Sequence, residues 1–160
     1  MLALRSTSLD DTRAIAAVVA GLAQRGDVIV LAGEMGAGKT AFAQGFGAAL
    51  GVTEPITSPT FTLVHEYHVG KLTLLHADLY RLSTQHEVAD LALAELVEAD
   101  GVLLVEWGEV ALSMLGEHLL VRLSGVDGSD DERRVEVAAA GRAWALRWER
   151  LGQRLGDWAC

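Results

Sequence analysis

Residues 33–40 read Gly-Glu-Met-Gly-Ala-Gly-Lys-Thr and fit the pattern G-x-x-x-x-G-K-[ST]. The chemistry of that spacing is phosphate capture. Glycines let successive backbone N–H groups curl around a phosphate chain, and the start of a following helix adds partial positive charge. Lys39 is then placed to reach the β- and γ-phosphates, and the Thr40 hydroxyl to ligate Mg²⁺. A purely structural glycine turn has no use for Lys followed by Thr at this spacing. The candidate nucleotide-binding residues are therefore Gly33, Gly36, Ala37, Gly38, Lys39, Thr40 and Ala41.

A bound Mg²⁺ needs carboxylate partners. Two acids stand where apolar runs end: Glu106 after Val102-Leu103-Leu104-Val105, and Asp78 at the close of a segment that begins at Leu72. An acid at the C-terminal end of a strand suits phosphoryl hydrolysis, where one carboxylate holds metal and another orients water. Spacing does not say which is which. Thr40, Glu106 and Asp78 are the candidate metal-site residues, and Asp78 and Glu106 the candidate catalytic pair. Ser58-Pro59-Thr60-Phe61 follows, in the region where switch loops sense a γ-phosphate, with Ser58 and Thr60 as its switch-like residues. The competing reading of that segment is a Pro-containing turn leading into a strand. His65 and His68 have opposite strand parity, which disfavours a shared metal; with His76 and His86 they are expected at the hairpin surface and core edge.

The elements that must position these residues are legible around them. Val28-Ile29-Val30-Leu31-Ala32 is a continuous apolar run, the pattern of a strand buried on both faces of a parallel sheet. Lys39 to Leu50 reads as a helix closed by Gly51, with Gly45 and Gly47 explained by close helix–sheet packing. Upstream, Ser8 and Asp11 have capping spacing before a helix from Asp11 to Gln24. Alternation from Phe61 to Asp78 around Val69-Gly70-Lys71 predicts a hairpin, and a helix is expected from Gln85 to about Val97. Strands follow at Val102–Val105, Leu119–Leu123 and Arg134–Ala138, with an acidic, exposed loop over Gly125–Glu132. Trp144, Trp148, Leu151, Leu155 and Trp158 recur as one core-facing stripe of a terminal helix. No repeat or linker divides the chain, so residues 1–160 are expected to form a single P-loop domain. Its class is α/β: a mixed sheet of parallel core strands and antiparallel edge strands, flanked by helices.

With 51% hydrophobic and 22% charged residues, the 160-residue chain is neither disordered nor fibrous. Thirteen basic against 22 acidic residues give a net charge of -9, which argues against autonomous nucleic-acid binding. Cys160 is the only cysteine, so neither an internal disulfide nor a cysteine zinc site can form, and a reducing, cytoplasmic setting is expected. No apolar stretch approaches a membrane span, and the first residues lack a signal-peptide pattern. There is no Asn, and the only other lysine, Lys71, is not followed two residues later by Asp, so the guanine-reading [NT]-K-x-D motif cannot be assembled. ATP is therefore the expected nucleotide.

Taken in order, the motifs at 33–40, Ser58 to Phe61 with Leu63-Val64 and Glu66-Tyr67, His76-Ala77-Asp78-Leu79-Tyr80-Arg81, and Glu106-Trp107 resemble one bacterial family. It is the ATPase family of tRNA threonylcarbamoyladenosine biosynthesis, TsaE, also called YjeE, and the resemblance spans about residues 8–138. It implies that Lys39 and Thr40 bind ATP and Mg²⁺, that Glu106 is a metal-site acid, and that Asp78 is needed for hydrolysis. Arg133 looks like the family's late nucleotide-contacting Arg, with Arg134 adjacent. Glu34-Met35 stands in place of Asp-Leu, and Ala41 in place of a second Thr, which removes a hydroxyl contact to the α-phosphate. Gln44 stands where an Arg is common, and Gly108 where a Pro often follows the Trp.

The resemblance further implies protein partners of TsaB and TsaD type that carry out threonylcarbamoyl transfer, with tRNA held only indirectly and no membrane involved. The Trp107 neighbourhood, expected to be exposed, and the Phe61–Asp78 hairpin are candidate contact surfaces. Two alternatives remain at the level of sequence. A small-molecule P-loop kinase would need an acceptor pocket and an Arg-bearing lid, and no compact Arg-rich lid is evident between residues 82 and 130. A nucleotide-dependent binding switch with negligible turnover is the other.

Overall fold

The computed structural model describes residues 1–57, 64–79, 101–107 and 115–160. The expected helix at 85–97, the start of the hairpin at 61–63, and Ser58 and Thr60 lie outside those residues. Strand β1 (Leu2–Ser6) leads into α1 (Leu9–Leu22), β2 (Val28–Ala32) and α2 (Lys39–Leu50). The hairpin β3 (Val64–Val69) and β4 (Leu72–Asp78) follows, then β5 (Gly101–Glu106), β6 (His118–Val126) and β7 (Ser129–Ala140). These strands form one sheet in the order β1-β7-β6-β2-β5-β4-β3. Parallel pairing joins β6, β2, β5 and β4, and antiparallel pairing adds β7 and β1 at one side and β3 at the other. The expected parallel core with antiparallel edges is what forms.

β2 is buried at every position, as its unbroken apolar run requires. Ser8 caps α1 by accepting the Asp11 N–H at 3.0 Å, so the helix begins at Leu9, two residues earlier than expected. Side chains alternate across the sheet and divide its core in two. Ile29, Leu31, Leu74, Val102 and Leu104 face α1 and α2, where Ile15, Val19, Phe42 and Phe46 meet them. Val28, Val30, Leu75, Ala77, Leu103 and Val105 form the second cluster. By the same alternation His76 and Asp78 on β4, and Glu106 on β5, project to the α2 face with Leu74 and Leu104.

Gly45 and Gly47 are explained differently from expectation. A Cβ at Gly45 would lie 2.5 Å from the Arg13 carbonyl oxygen, so this glycine admits the backbone of α1, not the sheet. At Gly47 a Cβ would run into Ile56 and stand 3.5 Å from Leu74 of β4. The acidic run over 125–132 is not a loop either. β6 and β7 extend through it to a two-residue turn at Asp127-Gly128, with Gly128 at φ 81 and an irregularity in register after Gly125. Asp-Gly is a favoured turn for such a hairpin.

β1 had no counterpart among the expected elements, and the terminal helix is broken. Trp144, Leu151 and Leu155 are buried as the stripe implied, but on α3 (Arg142–Ala145), α4 (Trp148–Arg154) and a 3₁₀ turn (Gly156–Trp158). The break falls where Arg147 turns to Asp27, Nη1 to Oδ2 at 2.6 Å and Nη2 to Oδ1 at 2.8 Å, with a third bond of 2.7 Å to the Leu22 carbonyl. The chain then returns along β1, bridging Ala159 to Leu4. Among the described residues no helix is long and apolar enough to cross a membrane.

Candidate functional site

β2 ends at Ala32 and α2 begins at Lys39, so residues 33–38 must reverse the chain within six residues. Glycine makes this possible at three of them: Gly33 at φ 143, Gly36 at φ 80 and Gly38 at φ 105. Gly33 also has no room for a side chain, because a Cβ there would collide with the Leu123 carbonyl oxygen of β6. At Gly36 a Cβ would meet nothing within 4 Å, so the rim of the loop is open. α2 has Gly38 as its N-cap, which has no side chain to cap it. Its first turn therefore presents backbone N–H groups and the positive end of the helix dipole to the loop. Thr40 is exposed in that turn, whereas the Ala41 side chain is buried.

Lys39 lies largely within the fold. Its Nζ donates to the Gly33 carbonyl at 2.5 Å and the Glu34 carbonyl at 3.3 Å, and sits 3.5 Å above the centre of the Trp107 ring. Loop carbonyls and an aromatic face thus hold the ammonium where phosphate oxygens would compete for it. Trp107 is the one non-glycine residue at positive φ, 60°, among those described. Its backbone leaves β5 sharply, N–H to the Leu31 carbonyl at 3.2 Å, and the turn brings the ring under Lys39. Trp107 is half-buried, which corrects the expectation of an exposed contact surface there.

Arg133 reaches the same loop from β7. Its Nε donates to the Ala37 carbonyl and its Nη2 to the Gly36 carbonyl, each at 3.1 Å, while Nη1 holds the Asp130 and Glu132 carbonyls. The register irregularity after Gly125 is what turns Arg133 toward the P-loop: Val126 pairs with Ser129, but Gly125 pairs with Arg133. Between the loop and the hairpin lies an open cavity of 610 Å³, lined among others by Arg122, Ser124, Asp127, Asp130 and Arg133.

The two acids come together through strand register. Asp78 pairs with Glu106 across β4 and β5, and Glu106 pairs with Leu31 across β5 and β2, so all three share one row at the strands' C-terminal ends. Asp78 is half-buried and Glu106 buried. His76 Nε2 stands 2.6 Å from Glu106 Oε2, and the His76 ring is completely buried, not at the core edge as expected. Gly33 to Ala41, Arg133, Glu106 and Asp78 therefore converge at one end of the sheet. The donor set suits a phosphate-bound Mg²⁺, which takes one or two protein oxygens and fills its remaining positions from phosphates and water.

A family model described as threonylcarbamoyl adenosine biosynthesis protein TsaE matches residues 6–135. The chain belongs to the TsaE family. It is similar to the tRNA threonylcarbamoyladenosine biosynthesis protein TsaE of Bacillus subtilis, 38% identical over 152 residues that cover 93% of this chain and 92% of that one. The TsaE of Treponema pallidum is 44% identical over 133 residues, 83% of this chain and 97% of that one. A crystal structure of Bacillus subtilis YdiB has the same fold, with a TM-score of 0.77 and 36% identity over 95% of this chain and 94% of that one. The family is one of tRNA threonylcarbamoyladenosine biosynthesis, and it binds ATP.

Two residues of this TsaE-family site escaped the reading of the sequence. His76 shares strand parity with Asp78, which was legible as a common face but gave no partner. Trp107 was noticed beside Glu106 but placed outward. Neither the left-handed turn nor the approach of Lys39 has a local sequence signal.

Proposed function

We propose that this TsaE-family chain, a single P-loop ATPase domain over residues 1–160, hydrolyses ATP in a Mg²⁺-dependent reaction, weakly on its own. Hydrolysis would sustain turnover of a threonylcarbamoyl transfer complex formed by TsaB- and TsaD-type partners, in the cytoplasm, where an exposed unpaired Cys160 is at home. The observation that carries this reading is the convergence of the P-loop, its lysine, Arg133 and two registered carboxylates at the C-terminal ends of β2, β5 and β4. Open α/β sheets bind ligands at that end.

In this reading Lys39 leaves the Gly33 and Glu34 carbonyls as the β- and γ-phosphate oxygens arrive, and the α2 N–H groups close around the phosphate chain. Arg133 keeps the Gly36 and Ala37 carbonyls turned away from it, and the adjoining cavity receives the base and ribose. Glu106 lies on the strand next to β2 and Asp78 one strand further out. That order favours Glu106 with Thr40 for the metal, and Asp78 for the attacking water. Mg²⁺, when bound, neutralises charge that develops on the phosphates. Adenine is the base in this reading because the guanine-reading motif is missing.

Phosphate release measured for the wild type and Lys39→Ala, with and without the partner pair, tests the reading. Loss of ATP binding or hydrolysis in a variant with unchanged melting temperature is expected. Unchanged ATP affinity and unchanged activity would end the P-loop reading. Tight ATP binding without phosphate release, even beside the partners, would make the chain a nucleotide-dependent switch.

A further inference from the structure

His76 lies on β4 among Leu74, Leu75, Ala77 and Leu79, all buried, and its ring has no solvent exposure. One nitrogen, Nε2, is 2.6 Å from Glu106 Oε2; the other, Nδ1, is buried with no hydrogen-bond partner among the described residues. The distance is that of a short, direct hydrogen bond. Nε2 is the ring nitrogen within hydrogen-bond reach of the carboxylate, and an N–H there donates to Glu106 Oε2. A buried polar atom without a partner destabilises the fold. An apolar side chain would fill the slot without that cost, so packing does not account for a histidine here. The bond to Glu106 does.

We propose that His76 is a positioning residue: its Nε2–H fixes the orientation of the Glu106 carboxylate at the metal side of the site. This rests on the role given to Glu106 above. β4 and β5 make the arrangement rigid, because His76 pairs with Leu104 and the Glu106 side chain projects from the same face two residues on. With side-chain exposures of 0% and 4%, neither partner can exchange the other for water. Glu106 therefore meets the nucleotide already aimed. Hydrogen-bond partners of metal-ligating carboxylates typically contribute about 10- to 100-fold to metal affinity or activity.

The test uses the full chain with its partner pair and two readouts: kcat and KM for ATP, and Mn²⁺ affinity in the presence of ADP, from the free-Mn²⁺ electron paramagnetic resonance signal. His76→Leu is expected to lower kcat and weaken Mn²⁺ binding by about 10- to 100-fold each, while KM for ATP moves by less than about threefold. His76→Gln, whose amide can donate near the Nε2 position, recovers most of both losses. In a Glu106→Gln background His76→Leu adds nothing. Should His76→Leu not fold, His76→Asn takes its place, since its shorter amide cannot reach Glu106, and the same results decide. A folded variant with wild-type kcat and Mn²⁺ affinity overturns the proposal, and so does an undiminished loss in the Glu106→Gln background. If Glu106→Gln alone leaves turnover and Mn²⁺ binding intact, the role of Glu106 itself falls.

Discussion

The P-loop of this chain is held in shape by its neighbours before any ligand is considered. Gly33 abuts the Leu123 carbonyl, and Arg133 ties two loop carbonyls to the β6–β7 hairpin. Gly33→Ala should therefore cost about 2 kcal/mol or more, from the φ of 143° and the clash together, and should displace the loop. A urea midpoint equal to that of the wild type, with ATP binding retained, would contradict this. The acids, on β4 and β5, make a separate prediction. Asp78→Ala and Glu106→Ala should each reduce turnover by at least ~10², the lower end for positioned acid–base groups. Full ATPase activity in either variant, assayed beside the partners, would remove that residue from the site. Lys39 and Thr40 were legible in the sequence because their spacing is local. Arg133, 97 residues from Gly36, was not legible from spacing, and only the resemblance pointed to it.

At the scale of elements, the ones set by local pattern appeared where the sequence put them: β2 and α2 have the expected limits. β1 and the broken C-terminal segment did not, because long-range partners decide both. Leu2–Ser6 becomes a strand only by pairing with β7, and the terminal helix stops where Arg147 meets Asp27. That ion pair has side-chain exposures of 11% and 6%, and its guanidinium also lies 4.0 Å from the Trp144 ring. Arg147→Ala leaves the buried Asp27 carboxylate the Gln24 N–H at 2.6 Å but removes its cation, and should destabilise the chain by about 3 kcal/mol, read from urea unfolding, without changing ATP affinity. A loss below about 1 kcal/mol would show that Asp27 finds another cation or that the Gln24 N–H suffices for it. The N-terminus of α1 adds a pH dependence. The Thr7 backbone N–H, with the Thr7 hydroxyl, holds the Asp11 carboxyl below its usual value. A lowered folded value means the stabilisation is complete above the unfolded pKa, about 3.9, and is lost as pH falls below it. Asp11→Asn should thus be less stable than the wild type at neutral pH, with the difference shrinking as the pH falls below that value. A difference that persists undiminished at low pH would assign the effect to something other than the charge.

The whole molecule carries a net charge of -9 and only two lysines, one of which, Lys39, is buried in the P-loop. A tRNA is a dense polyanion, and binding it requires cations that replace its counterions. The β6–β7 hairpin beside the P-loop cavity makes matters worse, since Asp127, Asp130, Asp131 and Glu132 crowd its tip. Under the proposed function the tRNA is therefore held by the partner proteins and not by this chain. The sheet offers an edge for contact with those proteins at β3, where Glu66 and His68 are exposed, while Trp107 is half-buried against Lys39. Under the proposed function β4 would carry the coupling to nucleotide state, because it joins the edge hairpin directly to Asp78 and His76. The isolated chain should show no measurable tRNA binding at about 0.15 M salt and weak ATPase activity, stimulated when the partner pair is added. Filter binding with sub-micromolar affinity for tRNA by the chain alone would contradict the charge argument, and full partner-independent ATPase activity would contradict the coupling.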